Sequence, residues 1–146
     1  MYAIGALARR TGTSVQTIRY YEQIGLLPEP ERSAGGQRRY DAGTLDRLTF
    51  IRHARQLGFG LEAIRDLLDL SDHPEQPCED ADRIAAQQLR AVEQRIARLE
   101  KLREELARMV HDCDGGQAGA CRVIEVLRDH SECLTDHPAP ETDVPR

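Results

Sequence analysis

The run from Ala81 to Asp112, with Cys78 just before it and Cys113 just after it, constrains this chain more than any other stretch. Leu89, Ile96, Arg103 and Val110 recur every seven residues, and Ala85, Val92, Leu99 and Leu106 interleave with them at alternating spacings of three and four. That is the period of a coiled-coil seam, so the run is predicted to be one long helix. All of these positions except Arg103 are apolar, whereas Arg83, Arg90, Gln94, Arg95, Arg98, Lys101, Glu104 and Glu105 take the other faces. A stripe so narrow calls for one partner helix, not for burial on every side.

A helix of this length spans about 50 Å at ~1.5 Å per residue, which puts Cys78 and Cys113 of one chain at opposite ends. Antiparallel pairing of two copies brings Cys78 of one protomer beside Cys113 and Cys121 of its partner. The expected assembly is a homodimer with two thiolate clusters, each drawn from both chains. Parallel pairing leaves each Cys78 alone.

With 146 residues the chain holds one compact domain and an extension. Charged residues make up 31% and aromatics 4%, with no Trp, a mixture that suits helices with long polar faces. Met1 to Leu7 is followed at once by Arg9 and Arg10, so no signal peptide or membrane span is expected and the chain is placed in the cytoplasm. In a reducing compartment, cysteines serve as metal ligands or reactive thiols more often than as disulfides. All four, Cys78, Cys113, Cys121 and Cys133, lie in the second half. The net charge of −5 conceals an asymmetry: residues 1–60 carry nine arginines against five acids, a balance of +4, which leaves −9 for the rest. A basic head on an acidic body points to nucleic acid at the head.

The order of elements in the head supports that partner. Ile4 to Arg10 reads as a short helix stopped at Thr11-Gly12; Thr13 and Ser14 cap a second, with Val15 and Ile18 facing inward. Two short helices joined by a glycine-containing turn match a helix-turn-helix whose second member enters the major groove. Arg19 is suited to a guanine edge or a phosphate, and Tyr20 and Tyr21 to phosphates. Pro28 and Pro30 forbid helix, Ser33-Ala34-Gly35-Gly36 forms a turn, and Gln37 to Tyr40 returns as a strand. This hairpin is a wing that lays Arg38 and Arg39 along the phosphate backbone. Candidate DNA contacts are Ser14, Gln16, Thr17, Arg19 and Tyr20 on the second helix and Arg38, Arg39 and Tyr40 in the wing. Asp41 caps a third helix with Leu45, Leu48, Ile51 and Leu57 on its apolar side; Gly58-Phe59-Gly60 ends it, and Leu61, Ile64, Leu67 and Leu68 mark a fourth.

Thr17-Ile18-Arg19-Tyr20-Tyr21-Glu22, Gly25-Leu26-Leu27-Pro28, Arg38-Arg39-Tyr40, Leu48-Thr49-Phe50-Ile51 and Leu57-Gly58-Phe59 together resemble the MerR family of winged-helix transcriptional regulators. The resemblance covers about residues 2–70, and the long helix with its terminal loop extends it to about residue 128. It implies a mostly α fold: a winged helix-turn-helix head over 1–70, a linker over 71–78, a long antiparallel coiled-coil dimerisation helix over 79–112, a metal-binding loop and short helix over 113–128, and a flexible tail over 129–146. It also implies a homodimer on a palindromic operator, which bends and untwists an overlong promoter spacer so that RNA polymerase can engage it. Such a mechanism is one of indirect readout, in which binding energy goes into deformation.

Between Cys113 and Cys121 lie seven residues, three of them Gly, a loop able to wrap two sulfurs onto one ion. Val123, Ile124, Val126 and Leu127 then suit a short helix folding back over the long one, seated on Met109 and Val110. The loop resembles that of metal-sensing family members. Two thiolates suit linear monovalent copper, and a third, Cys78 of the partner subunit, favours a soft divalent ion. Family members that sense monovalent copper typically lack a Cys at the position of Cys78, and zinc-sensing members add a Cys and a His in the loop, where this chain has Asp114 and no histidine. The resemblance is closest to the cadmium(II) and lead(II) branch, with mercury(II) and zinc(II) open. It departs from that branch at Thr13, where a cysteine is common, and in a tail that offers only His130 and His137. Cys133 is read as a flexible thiol in a Pro-rich tail, with a second site shared with His130 or His137 as the alternative. A redox switch through a Cys113–Cys121 disulfide is the alternative on the same fold. No nucleophile–base pair, phosphate loop or HExxH motif is present, so an enzyme is not expected.

Overall fold

The computed structural model describes residues 1–112 and 115–129. It is mostly helical, in the order α1 (Ile4–Thr11), α2 (Val15–Gln23), β1 (Glu31–Arg32), β2 (Arg38–Arg39), α3 (Ala42–Gln56), α4 (Leu61–Ser71), α5 (Glu79–Asp112), a 3-10 turn (Ala118–Ala120) and α6 (Arg122–Arg128). Met1–Gln88 forms one compact unit, the head with the first turns of α5, and the residues from Leu89 form a second. Among the described residues no helix is long and apolar enough to cross a membrane.

Local chemistry sets the ends of the head's helices. α1 stops at Gly12, whose φ of +64° lets its amide close back on the Ala8 carbonyl. A Cβ at Gly12 would also lie 2.7 Å from Nη1 of Arg52, which donates to the Thr11 carbonyl at 2.9 Å. The positive φ favours glycine here, and a Cβ would also push the Arg52 guanidinium aside. Ser14 caps α2, its Oγ accepting from the Thr17 amide at 3.1 Å, and Asp41 caps α3 in the same way through Thr44 at 2.8 Å. Each such cap stabilises its helix by about 1 kcal/mol.

One cluster holds α1 to α4 and the wing together. Leu7, Ile18, Leu48, Ile51 and Ile64 are fully buried, joined by Tyr21, Leu26, Leu27, Tyr40, Ala54 and Leu68. Burial of each large aliphatic chain contributes about 1.5–3 kcal/mol. Leu57 does not join them: α3 ends one residue earlier, and Leu57 is 68% exposed at the corner where Gly58 turns the chain with φ +87°. The wing is a two-residue antiparallel ladder, Glu31 opposite Arg39 and Arg32 opposite Arg38. Tyr2 extends it by pairing with Tyr40 through both backbone hydrogen bonds, at 2.7 and 2.9 Å.

Arginines finish the frame by donating to carbonyls that helix ends and turns leave unpaired. Arg47 reaches Leu26 O at 2.8 Å and the Asp72 carboxylate at 3.0 Å, while Arg65 reaches Ile24 O at 2.6 Å. The basic balance of the head therefore has a structural share.

α5 runs unbroken through 34 residues, with Glu79, Asp80 and Asp82 in its first turn, where acids favour a helix start. Along it Leu89, Ile96, Leu99, Leu106 and Val110 remain between 49% and 71% exposed in the single chain. Another face is covered, with Glu105 and Met109 buried. Among the described residues of the second unit, Met109 and Val126 are the buried apolar side chains. Of the pair expected to seat the returning helix, Met109 is buried, while Val110 stays exposed because it lies on the seam side of the helix. Arg122 Nε, 3.7 Å from Asp112 Oδ2, ties the start of α6 to the end of α5.

Candidate nucleic-acid interface and metal centre

α2 turns Ile18 and Tyr21 into the core, which leaves Gln16, Arg19 and Tyr20 exposed along one polar side beside the Ser14 cap. Ser14 Oγ also donates to Thr17 Oγ1 at 2.8 Å, so both hydroxyls sit at the helix start. The guanidinium groups of Arg19 and Arg39 make no ion pair or hydrogen bond among the described residues, and they are available to phosphates or base edges.

Two tyrosine expectations change. Tyr21 is 8% exposed, and burial, ahead of a smaller effect of Tyr20 and against the lowering influence of Arg55, pushes its phenol above the ordinary range. It is a core residue, not a phosphate donor. Tyr40, 1% exposed, donates its hydroxyl to Glu22 Oε1 at 2.5 Å. Burial first, and then the hydrogen bond and charge of Glu22, raise its pKa to about 12. Its hydroxyl is committed inside the head and does not face DNA. Arg38 makes an ion pair with Glu22 Oε2 at 3.3 Å, which holds one wing arginine at the base of the ladder while Arg39 stays unengaged.

Glu22 is therefore the residue that joins the recognition helix to the wing, a role sequence reasoning did not assign. A signal was present, since Glu22 lies one turn after Ile18 on the inward side of α2. An acid on a buried face needs a partner, and the arginine and tyrosine of Arg38-Arg39-Tyr40 are the donors within reach.

Of the proposed thiol ligands, Cys78 stands exposed immediately before α5. Its Sγ donates to Asp82 Oδ2 at 3.6 Å, one helical turn on. Asp82 first by its charge, then by this hydrogen bond, and Glu79 more weakly, push the thiol above its ordinary pKa. Cys121 is half-buried at the N-cap of α6, its amide donating to Ala118 O at 3.2 Å and its carbonyl accepting from Glu125. Gly115, with φ +76°, supplies a left-handed turn in the loop before it. Cys113 lies outside the described residues, as do Cys133, His130 and His137. Among the described residues no three His, Cys, Asp or Glu side chains gather closely enough to hold an ion. The donor chemistry still fits a soft ion, because thiols are the ligands such ions prefer and Cys78 is open to solvent.

Two family models match the chain: one described as MerR HTH family regulatory protein over residues 2–71, and one described as MerR, DNA binding over residues 45–109. The HTH-type transcriptional regulator ZntR of Escherichia coli K12 is 42% identical over 130 residues, covering 87% of this chain and 92% of that protein. The transcription regulator PbrR691 from Ralstonia metallidurans CH34, crystallised with lead(II), superposes with a TM-score of 0.75 at 38% identity, covering 87% of this chain and 99% of the other. MerR from Bacillus megaterium MB1, crystallised with mercury(II), gives 0.64 at 32% identity, covering 88% and 100%.

Proposed function

Because the chain belongs to the MerR family of metal-responsive transcriptional regulators, we propose that it is a promoter-bound homodimer that senses a soft divalent ion, cadmium(II) or lead(II) ahead of mercury(II) or zinc(II), and activates a metal resistance or efflux promoter by distorting its DNA. The observation that carries this reading is the apolar seam left bare along α5, with a thiol at the helix start. Antiparallel pairing covers the seam and delivers Cys78 of one protomer to Cys113 and Cys121 of the partner subunit. Three thiolates around a divalent ion leave one net negative charge, which a soft, polarisable ion tolerates best. Likeness to relatives crystallised with lead(II) and with mercury(II) supports a soft ion.

On the DNA side, Ser14, Gln16, Thr17, Arg19 and Tyr20 meet the major groove and adjoining phosphates, and Arg38 and Arg39 follow the backbone. Tyr40 supports the wing from below. Binding through these groups falls steeply with salt. RNA polymerase engages the promoter once the bound dimer has bent and untwisted the spacer.

The decisive experiment titrates cadmium(II), lead(II), mercury(II), zinc(II), copper(I) and silver(I) into the reduced protein and follows thiolate-to-metal absorption together with a promoter reporter. Two ions per dimer and induction by a soft divalent ion are expected. Cys78→Ser, Cys113→Ser and Cys121→Ser should each keep operator binding and abolish induction. A response to oxidant with no stoichiometric metal absorption would favour the disulfide switch instead, and loss of operator binding in all three variants would remove the sensor role.

A further inference from the structure

The first turns of α5 pack in the same compact unit as the head. There Ala81, Ile84 and Gln88 are the covered positions, while residues 82, 83 and 85–87 are exposed. Gln88 Nε2 donates to the Leu57 carbonyl at 3.0 Å, across 31 positions in sequence. Leu57 follows the last residue of α3, so this carbonyl is among those that a helix end leaves without an internal partner. The next residue, Gly58, has φ +87°, and a Cβ there would lie 2.6 Å from Gln88 Nε2. The backbone conformation favours glycine at this corner, and a Cβ there would displace the Gln88 amide. From α3, Arg52 continues to Thr11 O at the helix-turn-helix turn and Arg47 to Leu26 O after α2.

We propose that Gln88 is the positioning residue that couples α5 to the DNA-reading head: its amide clamps the C-terminus of α3, and a displacement of α5 passes through α3 and its arginines to α1 and α2. The proposal rests on the metal-responsive reading above and adds the route by which the ion's effect reaches DNA. Packed helices and hydrogen bonds can carry such coupling, and the test of it is whether a change at Gln88 alters the response to metal.

The test compares wild type with Gln88→Met and Gln88→Glu. Both replacements keep the side-chain length and a good helix former, and both remove the donor. Each protein is assayed for lead(II) binding, for metal-free operator affinity and for transcription by purified polymerase with and without lead(II). The expected result is lead(II) binding and operator affinity within about twofold of wild type, and an activation ratio lower by about fivefold or more. An unchanged ratio overturns the proposal. So does an equal fall in metal-free operator affinity, which would make Gln88 a support of the fold alone. If wild type binds its operator yet gives no metal-dependent ratio, the metal-responsive reading itself fails and takes this proposal with it.

Discussion

In the unit Met1–Gln88 the large aliphatic side chains of four helices close on each other, and Leu7, Ile18, Leu48, Ile51 and Ile64 have no solvent contact. In the unit that begins at Leu89, residues of the same kind, Leu89, Ile96, Leu99, Leu106 and Val110, keep about half of their surface or more in water. The composition of the two sets is alike; their period differs in what it allows. Positions spaced along short helices that turn back on each other find partners in the same chain. A stripe along one unbroken helix of 34 residues finds them only on another helix. The head can thus be stable as one chain, whereas the rod calls for a partner helix, proposed above to be a second copy, and the two should fail independently.

The largest effect is expected from charging the seam. Leu99→Glu with Leu106→Glu removes four leucines from the proposed dimer, roughly 6–12 kcal/mol at about 1.5–3 kcal/mol each. Sedimentation should show monomers at micromolar concentration while the head keeps its unfolding transition. A variant that stays dimeric would show that the seam is not the interface. Leu48→Ala acts on the other side of the comparison. Its cavity should cost about 2–5 kcal/mol and lower the urea midpoint of the head, with the dimer mass unchanged. If dimerisation fell with it, the two units would not be independent.

A third expectation concerns the head's alkaline limit. An unfolded tyrosine releases its proton near pH 10, but the folded Tyr40 holds it to about 12. Between these values the folded state carries the extra proton, so stability falls as pH rises. The loss approaches roughly 2–3 kcal/mol by about pH 12. Tyr40→Phe should reduce this slope, leaving the share of Tyr21, whose phenol is also raised by burial, and leave the seam's behaviour untouched. A wild-type slope equal to that of the variant would mean that the Glu22 contact does not hold the phenol in solution.

What the sequence reveals divides along the same line. Stops and caps at Gly12, Ser14 and Asp41 are local, fixed by residues within four positions, and were readable. So was the long helix, within two residues at its start. The Glu22–Tyr40 contact and the arginine bonds to Leu26, Ile24 and Thr11 were not, because they join residues 18 to 41 positions apart. A surface arginine aimed at a carbonyl is spelled like one aimed at a phosphate. That Met109 is buried and Val110 exposed depends on which side of α5 is covered, and the spacing of two neighbouring positions does not decide that. At the thiol site the placement of Cys78 before α5 followed from periodicity, but its bond to Asp82 required the first turn to be built.

That bond yields the smallest expectation and bears on both units, since Cys78 belongs to the first and Cys121 to the second. Thiolate, not thiol, is the reactive and ligating form. Because the Asp82 charge and hydrogen bond raise the Cys78 pKa, less thiolate is present at a given pH, and ion capture by this proposed ligand would release a proton and become easier as pH rises. Asp82→Asn removes the charge while keeping the length. In a background with the other three cysteines changed to Ser, alkylation of Cys78 at pH 8 should be about two- to fivefold faster in the Asn variant. The thiol is exposed, so salt should narrow the difference by screening the carboxylate. Equal rates at low salt would detach Asp82 from the thiol, and a difference that survives high salt would assign the effect to the hydrogen bond and not to charge.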